Sequence, residues 1–342
     1  RGYVMLLGKR SLKILSVLIG LAIIFTFTNQ SIDAFAKSGK PILCKFATVA
    51  GFDHPRVRAM EYFKYLVENA SKGQIKVEIY HSASLGKARE SIEGIRLGTM
   101  EMNIGDLLTK YDPRLDVTTL PYLFRDRAHA WNVLDGPIGK DLTSKVTKFG
   151  IRLFSNGAWE NGFRQMTNNK RAIHSPADLK GLKVRVVSTD LYRKTMEAYG
   201  TLTTSIAFSE LFTALQTGVI DGQDNPYTHI YNKKFFEVQK YIAETNHIYS
   251  IIWVMASEKW YQSLPDKLKK IVYWAVGEST ALNRWLMQQK DLEFKAKIKA
   301  ERKDIVITEP KMEPFKKIAK EKIWPFFEEK VGKDLIRKIE NY

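Results

Sequence analysis

The chain has 342 residues, of which 44% are hydrophobic and 27% are charged. This composition is typical of a globular protein with enough sequence for two lobes, and it excludes a disordered chain. The formal net charge is +17, which suggests an anionic partner. The lysines are spread over amphipathic segments and no zinc-finger or RNP-like motif occurs. We therefore expect no nucleic acid partner and favour an anionic small ligand or an anionic membrane surface.

The N-terminal segment has the pattern of a secretory signal peptide. Basic residues at positions 9, 10 and 13 precede an uncharged run over residues 14–27, and Ala34-Phe35-Ala36 forms an A-x-A-like cleavage site. The uncharged run is shorter than the roughly 20 apolar residues that a transmembrane anchor needs. We therefore expect residues 1–36 to be a signal peptide that is cleaved near Ala36, and the mature protein to be periplasmic.

Strand and helix patterns alternate through the first part of the mature chain. Strand patterns at residues 45–49, 75–79 and 100–104 are separated by helical spacing over residues 57–70 and by a second helix that ends at Gly98. This order predicts an α/β fold with a largely parallel sheet.

Two segments are rich in glycine and amide residues. Asn156 to Gly162 contains two glycines, two asparagines and Trp159, and we interpret it as a crossing between two lobes. Residues 219–226 read Val-Ile-Asp-Gly-Gln-Asp-Asn-Pro, which predicts a polar turn. Ser188 and Ser209 are expected to cap the short helices that follow them.

One short apolar strand carries an arginine. A turn over residues 176–181 leads into the strand pattern of residues 182–187, and the period of two places Arg185 on the face opposite Leu182, Val184 and Val186. A strand holds the guanidinium rigidly, and its fork suits a planar carboxylate because it donates two parallel hydrogen bonds. The alternative is an ordinary solvated arginine on a strand.

A long helix is predicted from Pro265 to about Arg302. At about 1.5 Å per residue it reaches over 50 Å, which exceeds the length of one lobe and suits a helix that spans two. No internal repeat or low-complexity linker separates the lobes, so we expect them to be interleaved. The predicted lobes are residues 37–162 plus 251–290, and residues 163–250 plus 291–342.

The sequence carries no recognised catalytic or cofactor-binding motif. G-x-S-x-G, P-loop, G-x-G-x-x-G, H-E-x-x-H and C-x-x-C patterns are all absent. The six histidines do not fall at metal-ligand spacing. Cys44 is the single cysteine, which excludes an intramolecular disulfide. We therefore expect a binding protein without enzymatic activity, bound metal or cofactor.

Residues able to bind an anion follow the ends of several predicted strands. Two arginines and an amide without a catalytic pair favour a carboxylate-binding site. Both arginines are expected to face a wet cleft, where the removal of either costs the unliganded protein little stability. For the aromatic candidates the alternative is core packing. The candidates are Arg185, Arg164, Asn225, Phe208, Asp106, His54 and Trp159.

Five motifs occur in order along the chain. They are Ser84-Leu-Gly86 with Arg89-Glu90, Leu120-Pro-Tyr-Leu-Phe124, Asn161-Gly-Phe-Arg-Gln-Met-Thr167, Leu179-Lys-Gly-Leu-Lys-Val-Arg185, and Ala207-Phe-Ser-Glu-Leu-Phe-Thr-Ala-Leu-Gln216 running into Asp221-Gly-Gln-Asp-Asn-Pro226. With these motifs the chain resembles the substrate-binding proteins of TRAP (tripartite ATP-independent periplasmic) transporters, the C4-dicarboxylate-binding (DctP) family. The resemblance covers nearly the whole mature chain.

The resemblance implies a two-lobed periplasmic solute-binding protein fold, in which interleaved α/β lobes are joined by hinge strands and a long bridging helix and close on an organic acid. It also implies roles for five of the candidates. By this resemblance Arg185 is the carboxylate-clamping arginine, Arg164 a second arginine of the pocket, Asn225 the amide beside them, Phe208 a wall aromatic, and Asp106 an acidic position that some members use for polar groups of the ligand.

The resemblance further implies that TRAP permease membrane subunits are the partner to which the receptor delivers its acid. The alternative is a periplasmic ligand-sensing module for a signalling partner, and an enzyme is the third reading. The identity of the acid stays open. Val49 and Lys87 stand where the sialic-acid-binding branch has polar or acidic groups, which argues against that substrate.

Overall fold

The strand patterns form two mixed β-sheets in the computed structural model, which describes residues 40–342. The predicted signal peptide lies outside these residues. The strands are β1 (Ile42–Ala47), β2 (Ile75–Tyr80), β3 (Met102–Gly105), β4 (Ile151–Phe163), β5 (Gln165–Asn168), β6 (Lys183–Val186), β7 (Leu202–Ser205), β8 (Gly222–Asn225), β9 (Tyr241–Ala243), β10 (Tyr249–Ser257) and β11 (Val306–Thr308).

The α-helices within this part of the chain alternate with the strands and then continue to the C-terminus. They are α1 (Pro55–Ala70), α2 (Ala88–Leu97), α3 (Arg127–Asp135), α4 (Pro137–Ser144), α5 (Asp190–Ala198), α6 (Leu211–Gln216), α7 (Tyr227–Asn232), α8 (Glu258–Ser263), α9 (Asp266–Glu301), α10 (Met312–Ile318), α11 (Trp324–Val331) and α12 (Lys333–Glu340).

The first sheet has the strand order β2-β1-β3-β10-β4. Strand β1 runs parallel to β2 and β3, as the strand–helix–strand pattern predicts, and its register pairs Ile42 with Ile75 and Ala47 with Tyr80. Strand β10 runs antiparallel to both β3 and β4. The sheet is therefore mixed, and the expectation of a largely parallel sheet is wrong at this edge because β10 returns from the second half of the chain.

The predicted crossing at Asn156 to Gly162 is part of strand β4. These residues pair with β10, with register shifts between Ser250 and Ile251 and between Trp253 and Met255. Gly157 in this segment allows close packing and does not form a turn. A Cβ atom on Gly157 would lie 3.0 Å from both Phe154 Cβ and Val276 Cγ1, so the missing side chain lets helix α9 approach the strand.

The second sheet has the strand order β11-β9-β5-β8-β6-β7. The prediction of a polar turn over residues 219–226 is wrong, because Gly222–Asn225 is strand β8 between β5 and β6 and all four of its residues are buried. Its polar side chains are paired inside the sheet, and Gln223 Nε2 donates to Thr167 Oγ1 at 2.9 Å. A buried polar strand of this kind looks like a loop in the sequence.

The two predicted serine caps are also wrong. Helix α5 begins after Thr189, whose side chain accepts from Tyr192 N, rather than after Ser188. Ser209 lies inside the 3₁₀ turn Phe208–Glu210, and helix α6 begins only at Leu211. Both serines are thereby left at the edge of the cavity described below.

The long helix is confirmed. Helix α9 has 36 residues, which corresponds to a length of about 54 Å. It packs against α1 and β4 of the first half of the chain and against α7, which follows β8. The helix therefore joins elements that belong to both sheets, while the exact residue boundaries of the two lobes remain a prediction.

A buried ion cluster lies where the chain passes from the first sheet to the second. Arg127 Nε donates to Glu160 Oε1 at 2.7 Å, and its Nη2 donates to Asp291 Oδ2 at 2.6 Å. Next to the cluster Gly162 has a φ of +106°, and a Cβ atom there would lie 3.0 Å from Pro226 Cβ. Strand β4, helix α3 and helix α9 thus meet at one crowded junction between the sheets.

Two carboxylates share the one guanidinium of this cluster. Burial raises the pKa of Asp291 to about 7, the charge of Arg127 opposes this rise, and the neighbouring Glu160 adds to it. Asp291 Oδ1 is buried without a hydrogen-bond partner among residues 40–342. The cluster is therefore most stable when Asp291 carries a proton.

We predict that Asp291→Asn removes a pH-dependent loss of stability. The pKa of Asp291 is about 7 in the folded protein and about 4 in an unfolded chain, so the folded state holds the proton more tightly. The free energy of unfolding should therefore fall as pH rises from about 4 to about 7. Asparagine keeps an oxygen acceptor for Arg127 but has no proton to lose, so this part of the decline should vanish.

Chemical denaturation between pH 4.5 and 8 measures the effect. Asp266→Asn is the matched control, because Asp266 lies on the same helix with its side chain 90% exposed. Equal pH slopes for the wild type and Asp291→Asn would show that Asp291 titrates normally in the folded protein.

Candidate ligand-binding site

A cavity of about 280 Å³ lies between elements of the two sheets. The first sheet contributes Asn103–Leu107, at and just after the end of β3, and the start of helix α2. The second contributes Arg185 of β6, residues 206–209 and Asn225 of β8. The volume is near the lower end of the range for small-molecule sites, so the cavity suits a small ligand.

Arg185 is buried in the cavity wall with most of its donors unused. Its Nε donates to the carbonyl oxygen of Ile206 at 2.9 Å, and no other hydrogen bond from its side chain occurs in the described part of the chain. Burial, together with the neighbouring charge of Arg164, lowers the pKa of Arg185 to about 10, so the guanidinium is still cationic at neutral pH. Two terminal nitrogens are left for an anion in the cavity.

Arg164 also lines the cavity, but its guanidinium is held by the protein. Its Nε donates to Asp224 Oδ2 at 2.5 Å, its Nη2 donates to the Asp224 carbonyl oxygen, and it stacks over the Tyr192 ring at 4.9 Å. Burial opposes the charge, but the attraction of Asp224 outweighs it and raises the pKa of Arg164. Arg164 is 2% exposed and Arg185 is 4% exposed, so the expectation that both arginines face a wet cleft is wrong.

Three other predicted residues line the same cavity, namely Asp106, Asn225 and Phe208. Asp106 follows β3, and burial raises the pKa of its carboxyl although Arg164, Arg56 and Arg185 oppose the rise. The Phe208 ring packs edge-on against His229, with 4.9 Å between the ring centroids. The cavity therefore brings together five of the seven residues predicted from the sequence.

Trp159 and His54 are not part of the cavity wall. Trp159 is fully buried in the core of the first sheet and packs edge-on against Phe46, at 6.4 Å between ring centroids. His54 caps helix α1, with Nδ1 accepting from Arg56 N at 3.1 Å, and its ring lies 4.5 Å from that of His229. Core packing explains Trp159, and helix capping explains His54.

A third guanidinium, that of Arg56, also lies at the cavity and was not predicted from the sequence. This side chain lines the cavity and donates from Nη2 to Asn161 Oδ1 at 2.6 Å and from Nη1 to Thr48 Oγ1 at 3.3 Å. Burial lowers the pKa of Arg56 to about 10, although Asp106 opposes this. The sequence contains one indication of this role. Arg56 stands in the first turn of a helix, where a positive charge is unfavourable, so its presence there suggests a role other than stabilising the helix.

Asn161 connects Arg56 to the opposite wall. Its Oδ1 lies 2.9 Å from His229 Nε2, and its Nδ2 donates to Ser250 Oγ at 3.1 Å. Burial, followed by the charges of nearby groups, lowers the pKa of His229 well below its usual range, so the ring is neutral and donates from Nε2. This network fixes the orientation of Arg56 without neutralising its charge.

Two contacts cross the mouth of the cavity. Lys87 Nζ lies 2.5 Å from Glu210 Oε1, and Arg89 Nη2 donates to the Ser188 carbonyl oxygen at 2.7 Å. Lys87 and Arg89 belong to the start of α2, whereas Ser188 and Glu210 follow strands of the second sheet. Both contacts are exposed to solvent, so each adds little to the stability of the closed form.

Within residues 40–342 no group of three or more His, Cys, Asp or Glu side chains is arranged to hold a metal ion. In the same residues no helix is both long and apolar enough to cross a membrane.

We predict that Arg164→Ala destabilises the unliganded protein far more than Arg185→Ala. Removing Arg164 leaves the Asp224 carboxylate buried and unpaired, which should lower the free energy of unfolding by about 3 to 5 kcal/mol. Removing Arg185 breaks one bond to a backbone oxygen and relieves its repulsion with Arg164. Denaturant unfolding of both variants measures the difference.

The double variant Arg164→Ala with Asp224→Ala provides the control, because it removes the unpaired charge and should recover part of the lost stability. Equal stability losses in Arg164→Ala and Arg185→Ala would contradict a structural role for the Arg164–Asp224 pair.

Comparisons with known proteins agree with this architecture. The family model described as "Bacterial extracellular solute-binding protein, family 7" matches residues 46–330. A relative named "Solute-binding protein", from Verminephrobacter eiseniae, is 39% identical over 71% of this chain and 72% of its own length.

Two solved structures of TRAP periplasmic solute-binding proteins superimpose closely on this chain. The protein of Sulfurospirillum deleyianum, with bound succinate, is 30% identical, covers 88% of this chain and 99% of its own, and has a TM-score of 0.83. The protein of Polaromonas sp. JS666, bound to D-erythronate, is 32% identical and has a TM-score of 0.83. The match covers 87% of this chain and 98% of that protein. The two-lobed α/β fold is therefore that of this group.

Proposed function

This chain belongs to family 7 of the bacterial extracellular solute-binding proteins, and on that premise we propose that it is an extracytoplasmic receptor that clamps an organic acid with Arg185 and delivers it to a TRAP-type permease. Two structural neighbours bind small carboxylates, succinate and D-erythronate. A receptor of this kind binds and releases its ligand unchanged, so we propose no enzymatic activity.

The observation that carries the proposal is the unused hydrogen-bonding capacity of Arg185. A buried cation with free donors is costly unless it is paired. In residues 40–342 the Arg185 guanidinium has one backbone acceptor and no carboxylate partner of its own, while Arg164 beside it is paired with Asp224. A ligand carboxylate supplies both the missing charge and two acceptors in the plane of the fork.

Closure of the two lobes follows from the position of the cavity. Its walls come from both sheets, and the contacts Lys87–Glu210 and Arg89–Ser188 cross its mouth. A ligand that touches both walls favours the closed arrangement of the lobes, because in the open arrangement the ligand keeps contacts with only one wall. The junction of Gly162 with the Arg127 cluster is where we propose that the hinge lies.

Delivery to a permease and export are proposed on the same premise. The structural neighbours are periplasmic components of TRAP systems, and the N-terminal sequence has the pattern of a signal peptide that is cleaved near Ala36. We therefore propose a periplasmic protein whose liganded, closed form is recognised by TRAP permease membrane subunits.

The Arg185 clamp predicts a large loss of affinity in Arg185→Ala. Truncation of one partner in a desolvated charge pair costs about 2 to 5 kcal/mol, or roughly 30- to 5,000-fold in Kd. Arg185→Lys keeps the charge but loses the planar fork, so its affinity should also fall. Calorimetric titration with succinate and with D-erythronate measures both variants.

Arg58→Ala is the matched control for the clamp. Arg58 is exposed on helix α1 and pairs with Glu61, so its removal should leave the affinity unchanged. Wild-type affinity in Arg185→Ala would mean that the acid is bound elsewhere.

The contact across the mouth predicts a smaller effect. Glu210→Lys replaces attraction to Lys87 by repulsion and should weaken binding of the same acids by about 2- to 10-fold, as expected for an exposed pair. The double reversal, Lys87→Glu with Glu210→Lys, restores the attraction and should restore the affinity. If the single reversal binds as tightly as the wild type, this pair does not hold the closed form.

A further inference from the structure

We infer that the ligand is a hydroxylated monocarboxylate, such as a sugar acid, rather than a dicarboxylate. This inference rests on the proposed function, since it assumes that the acid occupies the cavity beside Arg185. The family comparison leaves the two classes open, because one structural neighbour binds succinate and another binds D-erythronate. The charges and donors of this cavity distinguish them.

The charges on the inner wall of the cavity leave room for one ligand carboxylate. The cavity wall carries the guanidiniums of Arg56, Arg164 and Arg185 and the carboxylate of Asp106, and Asp224 is paired with Arg164 behind the wall. His54 and His229 are neutral because burial lowers their pKa, so three positive and two negative charges leave one positive charge. One ligand carboxylate neutralises the site, whereas a dicarboxylate would leave a buried negative charge, which is unfavourable.

The Asp106 carboxylate favours a ligand that carries hydroxyl groups. No side chain within residues 40–342 donates a hydrogen bond to it, although it lines the cavity. A carboxylate that a bound ligand separates from water needs new donors, and a ligand hydroxyl is a donor. The carboxylate groups of a dicarboxylate offer only acceptors when ionised and would be repelled by Asp106. This side chain therefore favours hydroxyl groups and disfavours a second carboxylate.

The uncharged polar groups of the cavity wall also favour a hydroxylated ligand. The amides of Asn103, Asn161 and Asn225 line the same space, and amides both donate and accept hydrogen bonds. Asn161 is partly used by Arg56 and His229, and Asn225 by Gln223. Uncharged groups of mixed character suit the several hydroxyls of a polyol chain better than a second anionic head.

The remaining cations of the lining lie at the mouth. Lys87 and Arg89 are exposed, Lys87 is paired with Glu210, and Arg89 donates to the Ser188 carbonyl oxygen. Charges in contact with solvent are screened and bind a second carboxylate only weakly. The buried groups therefore determine the class of ligand.

Three acids of four carbons test the inference at nearly constant size. D-erythronate has one carboxylate and three hydroxyls, butyrate has one carboxylate and no hydroxyl, and succinate has two carboxylates. The wild-type protein, freed of bound ligand by partial denaturation and refolding, should bind D-erythronate at least about tenfold more tightly than either of the others, because each of these leaves buried groups unpaired. Calorimetric titration gives the three dissociation constants.

The variant Asp106→Asn tests whether the Asp106 carboxylate causes the preference for D-erythronate over succinate. It removes the negative charge at nearly constant volume, so the D-erythronate affinity should fall by about tenfold and the succinate affinity should rise. Asp53→Asn is the matched control, since Asp53 is exposed and outside the cavity lining. The wild-type comparison stands by itself should Asp106→Asn not fold.

The outcomes separate this inference from the function on which it rests. Succinate binding as tightly as D-erythronate, with both lost in Arg185→Ala, would overturn the ligand class and leave the receptor function intact. An unchanged ratio of the two affinities in Asp106→Asn would also overturn it. Binding of none of the three acids to the wild type would contradict both proposals.

Discussion

The site depends on the buried ion pair between Arg164 and Asp224. The pair joins the start of β5 to its neighbour β8, and Asp224 is also contacted by His247 Nε2 at 3.2 Å. Because Arg164 takes the Asp224 carboxylate, the adjacent Arg185 on β6 is left in a positive field without a carboxylate of its own. One pairing thus stabilises the sheet and at the same time leaves Arg185 with the free nitrogens that we propose bind an anion. The site therefore needs both arginines, Arg164 to hold the Asp224 carboxylate and Arg185 to offer free nitrogens.

The strand that carries Arg185 was predictable because its pattern is simple. Alternating apolar residues and a preceding turn indicate a strand, and one arginine within it is unusual enough to suggest a ligand. The long helix was equally clear, since Pro265 precedes an uninterrupted helical pattern that becomes Asp266–Glu301. Both segments fold according to local rules, so the sequence alone is enough to recognise them.

The segments that were predicted wrongly are those whose structure depends on tertiary contacts. Strand β8 looks like a turn because its Gly, Gln, Asp and Asn residues are typical of loops, yet Gln223 pairs with Thr167 of β5, Asn225 pairs with Gln223, and Asp224 pairs with Arg164. Gly157 looks like a loop residue but allows α9 to pack on β4. Arg56 becomes a cavity residue only when helix α1 is placed beside Asn161, which is 105 positions away in the chain. Such partners cannot be identified from composition or periodicity.

The central claim is that the two free nitrogens of Arg185 bind the carboxylate of the ligand. A crystal structure of the protein with D-erythronate tests it most directly. The account predicts carboxylate oxygens about 2.7 to 2.9 Å from both terminal nitrogens of Arg185, in the plane of the guanidinium, with hydroxyl groups directed toward Asp106. An acid bound with its carboxylate at the mouth, near Lys87 and Arg89, and with Arg185 contacting only water would contradict it.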